Sequence, residues 1–163
     1  MDLSFDIKNT EGDHIMVALS YYDIESIILF SSDPAILTLI FYDVTLVRCA
    51  GSGFVGYDVL NTVSDTLAKF LNENEDAVLC FYCDSDTDIR RSHKNISPQE
   101  FRSELFSKMF DRYVKSHKLS HFVNHRIRIE DEDNPKNTQF AHFICRLNHE
   151  SAVKKMGKLL MSK

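Results

Sequence analysis

Three aspartates at alternate positions, Asp84, Asp86 and Asp88, are the residues of this 163-residue chain whose types and spacing most directly suggest chemistry. Carboxylates so placed can hold a hard cation. A calcium loop needs Gly at its sixth place and Glu at its twelfth. Those places hold Ile89 and Asn95, so the pattern fails. The plainer reading is an exposed acidic turn beside Arg90 and Arg91.

Other constellations meet similar tests. An apolar strand followed by two Asp is similar to the phosphatase pattern of the haloacid dehalogenases. That pattern wants Thr or Val four residues after the first Asp, where Asp88 stands, and more chain downstream than follows here. Cys80 and Cys83 form C-x-x-C, but within a strand a spacing of three sends the two thiols to opposite faces. His117, His121 and His125 are spaced by four. The helical pattern fades near Lys118, so they do not share a helix face. Gly51, Gly53 and Gly56 match the spacing of a dinucleotide fingerprint. The strands and hairpin that open the chain do not alternate with helices as a dinucleotide fold requires. No nucleophile elbow or P-loop is present, and no cofactor is expected.

One side chain stands out on physical grounds. On the helical wheel from Pro98 onward, Arg102 falls between Met109 and Tyr113, inside the apolar arc. A buried guanidinium needs a partner, because an unpaired buried charge is costly. The sequence therefore predicts a structural clamp in which Arg102 pairs with Asp84 and closes the loop between them. The functional alternative makes Asp84, Asp86, Asp88 and Arg102 an anion or metal site. Arg90, Arg91, Lys94 and Arg112 are candidate phosphate contacts.

The net charge of −5 conceals a segregation. Residues 1–88 carry 16 acidic and 3 basic side chains, and residues 89–128 carry 10 basic and 3 acidic. Such asymmetry marks either a binding surface or two lobes that attract each other. The overall acidity weighs against a dedicated nucleic-acid protein. The acidic start lacks the basic and then apolar pattern of a secretion signal. The most apolar run, Ala35–Tyr42, is far too short to cross a bilayer. Four Cys, all in apolar runs, fit a reducing compartment. The expected setting is the cytoplasm, away from membranes.

The elements that must position these residues follow from periodicity. Leu3–Lys8 and Ile15–Tyr22 read as a hairpin, and Ile24–Phe30 as a third strand. Ser31-Ser32-Asp33-Pro34 reads as a break, and Ala35–Arg48 as one long strand. Asp58–Leu71 is an amphipathic helix. Ala77–Cys83 is apolar without alternation, as a strand covered on both faces must be. Ser97, Pro98 and Glu100 supply an N-cap, a first-turn proline and a capping-box acid for a helix from Pro98 to about His117. Strands over 123–129 and 140–147 and a last helix capped by Asn148 complete the chain. The predicted fold is a single α+β domain, residues 1–163. Its antiparallel or mixed sheet has about six or seven strands, with about three helices packed mainly on one face.

The stretch from Asp65 to Phe110 resembles part of a known family. Lys69-Phe70-Leu71, Asn74, Val78-Leu79-Cys80-Phe81-Tyr82-Cys83-Asp84-Ser85, Arg102, Leu105-Phe106 and Met109-Phe110 are similar to the core of short bacterial proteins classed as a domain of unknown function. Met109 stands where that pattern has an aromatic. The resemblance covers roughly a third of the chain and implies architecture, not activity. The resulting expectation is a non-enzymatic binding or interaction module with a protein partner. The alternatives are a small metal- or anion-dependent enzyme or ligand-binding domain using the Asp84–Asp88 loop with Arg102, and nucleic-acid binding through residues 90–128.

Overall fold

Turn chemistry after Lys8 closes the first hairpin. Asn9 Oδ1 accepts from the backbone N–H groups of Glu11 and Asp13, and Gly12 takes a φ of 91° that residues with a Cβ rarely adopt. The hairpin joins β1 (Leu3–Lys8) to β2 (His14–Tyr21). In the computed structural model, residues 2–21, 33–51, 57–83 and 96–161 are described. The third strand expected at Ile24–Phe30 lies outside them.

Asp33-Pro34 does not simply interrupt the chain. Asp33 Oδ1 accepts from Ala35 N at 3.0 Å, so the pair is an N-cap with proline in the first turn. A short helix, α1 (Pro34–Leu37), follows. The long strand expected from Ala35 therefore begins later, as β3 (Ile40–Ala50). Helix α2 (Tyr57–Glu73) then leads to β4 (Ala77–Cys83), which pairs parallel with β3. Ser97 Oγ accepts from Glu100 N at 3.2 Å and starts α3 (Pro98–Ser116). Strands β5 (Phe122–Ile129) and β6 (Gln139–Arg146) pair antiparallel. A 3₁₀ turn at Leu147–His149 precedes α4 (Glu150–Met161), so Asn148 lies in that turn and does not cap the helix.

Among the described residues the sheet has six strands, in the order β1-β2-β3-β4-β6-β5, and all its pairs except β3–β4 are antiparallel. The fold is α+β with a mixed sheet. Two of the three long helices, α2 and α3, pack on one face over Val17, Leu19, Val44, Leu79 and Ile144. On the other face α4 and α1 cover Val78, Cys80, Ala141, Phe143 and Cys145. This double cover explains why β4 is apolar throughout and why β6 is buried from Phe140 to Cys145. Helix α4 approaches β5 closely. A Cβ at Gly157 would stand 3.1 Å from Ile127 Cγ2 and 3.2 Å from His125 Nε2.

Candidate functional site

Helix α3 divides its inward surface between two tasks. Gln99, Ser103, Phe106 and Phe110 form one arc, and Arg102, Leu105, Met109 and Tyr113 form the next arc around the wheel. The residues of α3 that are fully buried are polar, Gln99 and Ser103. Phe106, Met109 and Phe110 are only partly covered, and Leu105 remains 45% exposed. On α2 the pattern is the ordinary one, with Val59, Val63, Leu67, Phe70 and Leu71 all buried.

The space that leaves α3 uncovered is a groove between α2 and α3, with the sheet as its floor. Its volume is about 440 Å³, within the range of small-molecule sites. Leu60, Val63, Leu67 and Leu71 form one wall, and Leu105, Phe106, Met109 and Phe110 the other. Leu46, Leu79, Phe81 and Ile144 lie beneath. Among the described residues one end is open, where Leu46 is 47% and Leu105 is 45% exposed. The far end is closed by Leu71 and Phe122, which are 3% and 5% exposed. The open end lies at the carboxyl ends of the parallel pair β3–β4, the side on which open α/β sheets usually bind ligands.

Among the described residues, three polar ones line this groove: Arg102, Ser64 and Tyr113. Tyr113 donates its hydroxyl to Asp65 Oδ1 at 2.5 Å and so ties α3 to α2. Burial, together with the adjacent Asp65 carboxylate, pushes the Tyr113 phenol well above its usual range. His117 stacks on the Tyr113 ring, with 4.0 Å between centroids.

Beside the groove, the buried arc of α3 holds a second polar group. His142 Nδ1 lies 3.1 Å from Asn124 Oδ1, and His142 Nε2 lies 2.8 Å from Ser103 Oγ. Because the Asn124 oxygen can only accept, the proton sits on Nδ1, and Nε2 accepts from the Ser103 hydroxyl. The order Ser–His–Asn is that of a nucleophile, a base and an orienting group. Ser103 and His142 are both 0% exposed, however, and Phe106 packs on the imidazole at 4.6 Å. No substrate reaches a hydroxyl so enclosed. The group works as a buried hydrogen-bonded link between α3, β6 and β5. Burial is the main reason that His142 is pushed down to about 4, with the positive charge of Arg126 adding to it. Gln99 extends the link by donating Nε2–H to Lys136 O at 2.9 Å.

The residues singled out from sequence fall into three groups. Asp84, Asp86, Asp88, Arg90, Arg91 and Lys94 lie outside the described residues, as does the expected Arg102–Asp84 clamp. Arg102 is half-buried and lines the groove, and Arg112 is exposed on the outer side of α3. The histidines and cysteines do not converge. His117 caps the end of α3, His121 lies in the following turn and His125 is on the α4 face of β5. Cys80 belongs to the cluster under α4, and strand alternation turns Cys83 the other way. Among the described residues no cluster of His, Cys, Asp and Glu has the geometry to hold a metal ion, and no helix is long and apolar enough to cross a membrane.

Sequence reasoning missed Gln99, Ser103, Asn124 and His142. Two of them left a signal, because Gln99 and Ser103 share the wheel arc of Phe106 and Phe110 and are polar residues on an apolar face. His142 left none, because it sits in a strand whose two faces are both covered. Comparison of the chain with protein-family models, curated proteins and solved structures gave no match.

Proposed function

We propose that this chain is a non-enzymatic binding module and that the groove between α2 and α3 is its binding element. One observation carries the reading: Leu105, Phe106, Met109 and Phe110 all stay partly uncovered, whereas α2 and α4 bury Val63, Leu67, Phe70, Val153 and Met156. Full burial of a large exposed apolar side chain contributes about 1.5–3 kcal/mol, and each of these partly covered residues gains a share of that. A guest that covers several of them has a substantial driving force. The residues lining the groove supply shape and apolar area. The Ser103–His142–Asn124 group beside it has its hydroxyl and imidazole fully buried.

The test uses 8-anilinonaphthalene-1-sulfonate, a dye whose emission rises on exposed apolar surface. The intact protein should bind it at one site. Ala68→Phe places a ring in the groove from the α2 wall and should abolish that binding while thermal stability is held or raised. Failure of the intact protein to bind the dye, or undiminished binding by a folded Ala68→Phe variant, refutes the reading.

A further inference from the structure

We infer that the guest is a free single-chain amphiphile, an unbranched aliphatic chain with an anionic head, lying along the groove with its head at the open end. This rests on the proposed binding role of the groove and adds the ligand class to it.

Three dimensions select a slender chain. The wall from Leu60 to Leu71 spans eleven residues of helix, about 16 Å at 1.5 Å per residue. The opposite wall, from Arg102 to Val114, is about 18 Å by the same measure. Half of a bilayer's hydrocarbon core, the length taken up by one layer of acyl chains, is about 15 Å. The volume agrees with the length. A methylene has about the volume of a water, roughly 30 Å³, so 440 Å³ holds on the order of fifteen methylenes. A partner's helix, about 10–12 Å across with its side chains, would rest on the rim and insert only single side chains, whereas an extended chain fills the length of the groove.

The ends differ in chemistry, and this sets the direction. Leu71, Phe122 and Ile144 make the closed end apolar. At the open end Arg102 is the one charged residue among the described residues that line the groove. Arg102 already has an interaction within the protein. Its five N–H donors in a planar fork allow it to meet a carboxylate or sulfate head as well. Its charge favours an anionic head over a neutral or cationic one. Ser64 and Tyr113 lie along the walls, and the floor offers only carbon.

The experiment is calorimetric titration of the full chain with sodium alkanoates from six to sixteen carbons, with dodecanol and with dodecyltrimethylammonium. Affinity should rise about fourfold per added methylene and level off once the chain spans the groove. Dodecanoate should bind better than the alcohol or the cation. Arg102→Gln should lower dodecanoate affinity about tenfold and erase the head-group preference, and Arg102→Lys should restore part of it. Ala68→Phe should block all of these ligands.

If the dye binds but no alkanoate does, the ligand class is overturned and the groove reading stands. If neither binds, both fall. Binding to dioleoylphosphatidylglycerol vesicles but not to free dodecanoate, or to an amphipathic helical peptide alone, also overturns the inference. Affinity that does not depend on chain length removes the argument from groove length.

Discussion

Acidification should destabilise this protein through one histidine before most carboxylates are neutralised. His142 titrates near 6.5 in an unfolded chain and is held down to about 4 in the fold. Above pH 6.5 the imidazole is neutral in both states and nothing is lost. As pH falls below 6.5 the unfolded chain takes up a proton that the folded chain refuses, so stability declines. At pH 5.0 the deficit is about 1.5 pH units, or about 2 kcal/mol at roughly 1.4 kcal/mol per unit. The full loss, about 3 kcal/mol, is reached near pH 4. Against a total of about 5–15 kcal/mol for an ordinary domain, that is a large fraction. His125 is also held below its usual value by burial and by Lys154, so it contributes with the same sign. The groups around His142 are Arg126, Ser103, Asn124 and the Phe106 ring. The measurement is urea unfolding at pH 7.5 and pH 5.0 for the native chain and for His142→Gln. The variant is less stable at pH 7.5 but should lose about 2 kcal/mol less between the two pH values. Parallel losses in the two proteins refute the argument. So does an imidazole proton of His142 that titrates near 6.5 by NMR.

Two further outcomes follow from backbone geometry. Gly51 has a φ of 101° and its missing Cβ would press on the Asp13 carboxylate and backbone; Gly51→Ala should cost on the order of 1–3 kcal/mol, read as a lowered urea midpoint. Gly157→Leu should lose about 1–3 kcal/mol by overpacking against Ile127 and His125. Its NMR signature should concentrate in β5 and α4.

Most of the architecture was legible in the sequence because it depends on local patterns. The turn after Lys8, the amphipathic spacing of Val59, Val63 and Leu67, and the Ser97–Pro98 start each act over a few residues. The unbroken apolar run Ala77–Cys83 reported double cover, and β4 does lie between β3 and β6. Asp33-Pro34 was misread because turn and helix-start signals use the same residues, and the four-residue helix that follows is too short to show a period. The candidate site was legible in one residue, Arg102, whose place on the wheel turned out to be the groove wall. The groove itself depends on how far apart α2 and α3 sit, and no local pattern encodes that distance. Ser103 and His142 meet across 39 positions of chain, and nothing near either residue announces the other.

Helix α3 is fixed to its sheet by the Ser103–His142 hydrogen bond and by Phe106 packed on Phe81 and His142, and to the turn at Lys136 by Gln99, while Leu105 and Met109 line the groove. Such bonds fix where a helix sits by direction and distance, like dowels in a joint, without regard to the bulk of neighbouring side chains. Leu105 and Met109 can therefore be exchanged for larger or smaller residues while the dowels keep the helix in place. The length and bore of the groove become adjustable separately from the fold, so one scaffold can be fitted to guests of different sizes by changing only its lining.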